Sequence, residues 1–169
     1  MMKRGIFFLG FVFTAAVGSL LHFVYEWTGE ARWAGYISAV NESTWEHLKL
    51  LFVAMILFGI FEFFKYGRNN SCFFPAKLKG ILSGMLFITA FYYTYRGALG
   101  RNIDFLNILD FILGSAVAWF VQYKSLKGRK PCSPIAHGFA IFGLVVLGIL
   151  LAVFTFNPLD LGIFIDPTK

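Results

Sequence analysis

The chain has 169 residues, of which 58% are hydrophobic and only 14% charged. A soluble domain is closer to one quarter charged and under half apolar, so a water-soluble enzyme or binding module is excluded, and little length is left for a separate soluble domain. The net charge of +6 is not arranged as basic residues alternating with aromatics, which argues against a nucleic-acid partner and leaves the lipid bilayer as the expected one.

Taken in order, Lys3 and Arg4 precede an apolar run that continues to Val24. A signal peptide with Ala15–Gly18 as its cleavage region is the competing reading. The run goes well past that point, however, and about 20 residues suffice to span a bilayer. A first helix is therefore expected over about 5–27. A short connection with Gly29, Trp33, Gly35 and Tyr36 leads to a second helix over about 44–65. A basic, Asn-containing loop precedes a third, about 76–95, which holds Gly80-Ile-Leu-Ser-Gly84. That small-xxx-small spacing lets another helix approach closely and makes a homodimer through small-residue faces a candidate assembly. Fourth and fifth helices are expected over about 103–123 and 134–156, the last being the most apolar. The fold expected is all-α: one transmembrane domain, 1–169, formed by a bundle of five helices.

Charge orients this bundle. One face carries Lys3, Arg4, Lys65, Arg68, Lys77, Lys79, Lys124, Lys127, Arg129 and Lys130. The other carries Arg32, Lys49, Arg96, Arg101 and Lys169. Cationic loops stay cytoplasmic, which places the N-terminus inside and the C-terminus outside. Eight of the nine acidic residues fall on the outer half, Glu62 being the exception. Cys72 and Cys132 then lie in cytoplasmic loops, and both are expected to be ordinary thiols.

The polar residues gather at the outer end. His22 and Glu26, four apart, share one side of the first helix. Glu42, Glu46, His47 and Lys49 open the second helix, Tyr92, Tyr93, Tyr95 and Arg96 close the third, and Asp104, Asn107 and Asp110 open the fourth. Ionisable groups sunk in a bilayer are costly and are functional suspects for that reason. Ser43-x-x-Glu46 also reads as a capping box, and the aromatic residues as an interfacial belt. Asp110 and Lys49 lie deep enough to need partners, which suggests an Asp110–Lys49 or Asp110–Arg96 pair.

Imidazole and carboxylate together suit zinc, iron or manganese. The sharpest expectation is a divalent metal such as zinc held by His22, Glu26, Glu46 and His47, in a pocket that also includes Glu42, Lys49, Tyr93, Arg96 and Asp110. His137 lies at the opposite end of a helix about 30 Å long and cannot join the other two histidines. Catalysis with His47, Glu46 and Ser43 as the candidate catalytic residues is a second reading, and a metal-dependent membrane hydrolase is one form of it. A cation- or proton-coupled carrier or channel subunit is a third, although no internal repeat is visible. A scaffold without a small-molecule site is the fourth. The residues identify no substrate and no reaction.

Two stretches, Gly18-Ser-Leu-Leu-His-Phe-Val-Tyr-Glu-Trp27 and Ser38-Ala-Val-Asn-Glu-Ser-Thr-Trp-Glu-His-Leu-Lys-Leu-Leu51, resemble the signatures of a family of small bacterial multi-pass membrane proteins classed only as a domain of unknown function. Tyr93–Gly100 and the tail from Phe154 through Pro167 are similar to it as well. The resemblance covers most of the chain and implies a bacterial cytoplasmic-membrane protein, with no activity attached.

Overall fold

The computed structural model describes residues 4–127 and 131–168. Lys3, Arg129, Lys130 and Lys169, which contribute to the charge pattern, lie outside the described residues. The chain is all-helical over this range. It forms α1 (Arg4–Trp27), the single turn α2 (Arg32–Gly35), α3 (Thr44–Lys65), α4 (Phe73–Leu99), α5 (Asp104–Leu126) and α6 (Pro134–Phe156), with 3₁₀ turns at Gly67–Asn69 and Gly162–Phe164. Five of these, α1 and α3 to α6, are long and apolar enough to cross a membrane. Each has at least 22 residues, and at 1.5 Å per residue that exceeds the roughly 30 Å hydrocarbon core.

Five long helices form as expected, with α4 extended at both ends and α5 running three residues further, to Leu126. Helix α4 starts three residues early at Phe73 and runs on to Gly100, whose φ of 67° provides a left-handed C-cap that only glycine adopts without cost. The first turn of the chain is tighter than expected. Gly29 and Glu30 both have positive φ, which reverses the chain immediately after α1.

α3 is the central helix and packs on α1, α4, α5 and α6, while α4 and α5 form the most extensive pair. Small residues set these approaches. Gly80 and Gly84 lie against the α5 backbone: a Cβ on Gly80 would sit 2.6 Å from the Ala118 carbonyl, and one on Gly84 would sit 2.8 Å from that of Gly114. The stripe expected to serve a homodimer is thus occupied within the chain. On α1, Gly10, Thr14 and Gly18 form a second stripe four residues apart. Gly10 lies under the Trp119 ring, Gly18 under the Phe111 ring, and the Thr14 hydroxyl accepts the Trp119 indole N–H at 2.9 Å. Leu51, Ala54, Met55, Ile81, Ile88 and Ala118 fill the layer between, each at most 3% exposed. Phe8, Phe61, Phe64, Leu86, Ile135 and Phe139 point outward, as a bilayer requires.

Overpacking costs about 1–3 kcal/mol, so Gly80→Ala should destabilise the detergent-solubilised protein by that amount in thermal unfolding. Gly138→Ala, where a Cβ would meet nothing within 4 Å, should be neutral or stabilise by up to about 1 kcal/mol.

At the end bearing the N-terminus, Glu62, Lys77, Tyr66 and Gln122 form a buried knot. Lys77 donates to Glu62, the Tyr66 hydroxyl donates to Glu62, and Gln122 Nε2 donates to Glu62 Oε1 at 2.8 Å. The Lys77 ammonium also sits 4.8 Å over the Trp119 ring. Cys72 and Cys132, expected as separate thiols, are joined by a disulfide at this end, their Cα atoms 5.0 Å apart. Cys72 directly precedes α4 and Cys132 lies two residues before α6; the packing of α4 beside α6 brings them together, and no loop composition reveals that. His137 is also at this end, with Nδ1 3.1 Å from the Ser71 carbonyl, remote from the other histidines as expected.

Candidate metal centre

The opposite end collects the C-termini of α1, α4 and α6 and the N-termini of α3 and α5. Two polar groups form here where the sequence suggested one. The first is structural. Lys49 and Glu46, each 1% exposed, pair at 2.5 Å. The ammonium spends its other donors on the Gly35 carbonyl at 2.6 Å and the Thr155 hydroxyl at 2.7 Å. Glu46 Oε1 accepts from Thr155 at 2.9 Å, and Oε2 accepts the Val40 backbone N–H at 3.1 Å. This knot ties α3 to the loop before it and to α6.

Several expectations are corrected by it. Glu46 lies outside the candidate ligand group, its oxygens accepting from the ammonium, a hydroxyl and a backbone amide. Lys49 does not line the pocket and does not pair with Asp110. The capping box does not form either: Ser43 makes no side-chain cap, and its N–H donates to Asn41 Oδ1 at 2.9 Å instead. Thr155 was not foreseen. A lone threonine at the end of the most apolar helix carries no signal until α6 is packed beside α3.

The second group is the site. His22 Nε2 lies 3.3 Å from Glu42 Oε2, and His47 Nε2 lies 3.9 Å from the same oxygen. All three ligating atoms fall within 4.8 Å of one another, the one such group of three among the described residues. Each side chain arrives from a different local structure: His22 from the last turns of α1, Glu42 from the loop before α3, and His47 from the first turn of α3. The His47 Nδ1 is 3.0 Å from the Ser43 carbonyl. A carbonyl only accepts, so that nitrogen carries the proton and Nε2 presents its lone pair to the site. Ser43 thus meets the site through its backbone carbonyl.

Ligands spread tetrahedrally about 2.0–2.1 Å from zinc are roughly 3.3 Å apart. The His22–Glu42 separation matches that, the His47–Glu42 separation is about 0.6 Å longer, and the two histidine nitrogens, within 4.8 Å of each other, need to approach by up to about 1.5 Å. Glu42, outside the helices, has its carboxyl held below the ordinary carboxylate range, chiefly by the hydrogen bond from His22. The carboxylate's own share of this pairing is present above the ordinary carboxylate pKa and is lost as pH falls through the depressed value.

Glu26 is exposed and outside the group. Glu42 takes the place that the i, i+4 spacing had given it, beside the two histidines already expected. Tyr92, not Tyr93, faces the site; Tyr93 is 40% exposed, and its hydroxyl is near Gly162 of the tail. Arg96 donates to the Tyr92 hydroxyl at 3.0 Å and not to Asp110. Asp110 is 3% exposed, and its Oδ1 has no hydrogen-bond partner among the described residues.

Two spaces adjoin the group. A cleft of about 670 Å³ between α1, α3 and α5 is lined by His22, Glu42 and His47 together with Phe23, Leu50, Ile108 and Phe111. A small cavity of about 10 Å³ behind it is lined by Glu42, Thr44, His47, Tyr92, Asn107 and Asp110. The tail folds back over this end, with Thr168 on the cleft wall and the Phe164 ring 4.7 Å from that of Trp45.

A family model of unknown function, DUF6512, matches residues 2–169. The chain belongs to the DUF6512 family. That match takes in both helix-end motifs that hold the site residues, and the family description assigns no activity. No curated protein and no solved structure matches the chain.

Proposed function

We propose that this DUF6512 protein is a bacterial cytoplasmic-membrane protein that binds a divalent transition metal with the chemistry of zinc through His22, Glu42 and His47. The observation that carries the reading is the convergence of two imidazole nitrogens and a carboxylate oxygen, from three separate segments, within one ion's reach. The Ser43 carbonyl supports it by fixing the His47 tautomer, since metal-bound histidines are typically oriented this way. The apolar layer of Leu51, Met55 and Ile88 between the two polar ends weighs against a continuous carrier pathway.

Elemental analysis of purified protein should find stoichiometric metal in the wild type. His47→Ala and Glu42→Gln should each weaken binding by more than the roughly 10–100-fold that losing an outer hydrogen-bond partner costs. A metal-free wild type, or variants that retain the metal, would remove the reading.

The charge pattern supports an outer position for the site. With Lys77 and Lys49 set aside as buried ion pairs, Arg4, Lys65, Arg68, Lys79, Lys124 and Lys127 still outnumber Arg32, Arg96 and Arg101 among the described residues. The disulfide lies on the basic face, where this orientation exposes it to cytoplasmic reductant. An export-dependent reporter enzyme fused after Lys169 should be active. An inactive fusion would invert the orientation and put the disulfide in an oxidising compartment.

A further inference from the structure

Three protein ligands leave a zinc ion one position short of its preferred four, the mark of a catalytic site as opposed to a structural one. What occupies the fourth position is suggested by Asp110. Its carboxylate is buried at 3% exposure, Oδ1 has no partner among the described residues, and it shares a cavity with two of the three ligands, Glu42 and His47. A carboxylate is costly to leave unpartnered in a bilayer. The cavity measures about 10 Å³, close to the space one water needs. A water there can donate to Asp110 on one side and turn its oxygen toward the metal ligands on the other.

The cleft indicates what such a water would meet. Its polar end is the His22–Glu42–His47 group. Its walls include the apolar Phe23, Leu50, Ile108 and Phe111 and also the polar Asn102, Asp104 and Asn107, and Phe23 and Ile108 are 48% and 60% exposed. The cleft thus joins apolar to polar surface, as an amphiphile does, and its volume is that of a small-molecule site.

Resting on the metal reading above, we infer that the site is hydrolytic: Asp110 holds the water of an open metal centre, and the substrate is an acyl ester or amide of a membrane amphiphile whose chain occupies the cleft. The water oxygen bonds to the carbonyl carbon as the bond from that carbon to the leaving oxygen or nitrogen breaks. One water proton passes to Asp110 and on to the leaving group, and the remaining hydroxyl completes the carboxylic acid. The metal polarises the carbonyl and makes the water nucleophilic at neutral pH.

Cobalt-loaded and zinc-loaded protein in detergent micelles tests this without knowledge of the natural substrate. In the cobalt form, dodecanohydroxamate should shift the visible bands and saturate at a far lower concentration than acetohydroxamate. The zinc form should release nitrophenol from p-nitrophenyl dodecanoate faster than from the acetate. Asp110→Asn should keep its metal and its thermal stability while kcat falls by about 10²–10⁴-fold, the usual scale for a lost proton acceptor, with KM little changed. Unshifted bands in the wild type, no metal-dependent nitrophenol release, equal handling of long and short acyl groups, or Asp110→Asn within threefold of wild type would each overturn the inference. A wild type that takes up neither metal would instead overturn the metal reading beneath it.

Discussion

Glu62→Ala should lower the unfolding free energy of the purified protein by about 3–5 kcal/mol, the cost of leaving one partner of a buried ion pair uncompensated. Lys77 would be left at 1% exposure, with only the Met55 carbonyl at 3.4 Å and the faces of Trp119 and Phe73 near its ammonium. Tyr66 and Gln122 would lose an acceptor in the same step. The double variant Glu62→Gln with Lys77→Met removes both charges and keeps an acceptor for the tyrosine. It should recover most of the loss, because replacing both members of a buried pair by groups of similar volume is often near neutral. Reversible denaturant or thermal unfolding in detergent reads both. A single variant costing less than about 1 kcal/mol would show that water reaches this knot and screens it.

At the other end, Glu46→Ala and His47→Ala should have opposite effects although the residues are adjacent. Glu46 is buried at the centre of the Lys49–Thr155–Val40 network. Its loss should destabilise the protein by about 3–5 kcal/mol and leave metal content unchanged in the fraction that folds. His47 is 17% exposed, carries no buried ion pair and keeps one ring nitrogen on a local carbonyl, so its loss should cost less in stability than that of Glu46, about 1–2 kcal/mol, and remove the metal. Parallel melting curves and elemental analysis on the two variants separate the assignments. Metal loss in Glu46→Ala at full stability would return Glu46 to the ligand set, contrary to the hydrogen bonds that occupy it.

These neighbouring residues show where sequence reasoning stops. Residues 46 and 47 project about 100° apart on a helix, so one can face α6 while the other faces α1. The sequence states that separation and is silent on which neighbour lies on each side. Glu42 presents the same limit. As a loop residue it has no helical phase, and only the folded path of residues 36–43, held by the Ser38 hydroxyl on the Ala34 carbonyl and by Val40 on Glu46, delivers its carboxylate to His22. Glu26 looked the better partner because i, i+4 spacing is the one geometry a sequence displays directly.

What the sequence determines by itself is what depends on chain-local physics. Five apolar runs of sufficient length require five helices in a bilayer, because only helices satisfy every backbone group there within one segment. The alternation of those runs gathers His22, Glu42, His47 and Asp110 at one end and keeps His137 at the other. Tertiary structure alone decided the pairings: Cys72 with Cys132, Lys49 with Glu46 and Thr155, and His22 with Glu42. Each depends on the rotation of one helix about its axis relative to another. That rotation is set by small-residue stripes such as Gly10-Thr14-Gly18 and Gly80-Gly84 meeting particular ring faces and carbonyls, a match between two surfaces that neither segment encodes alone.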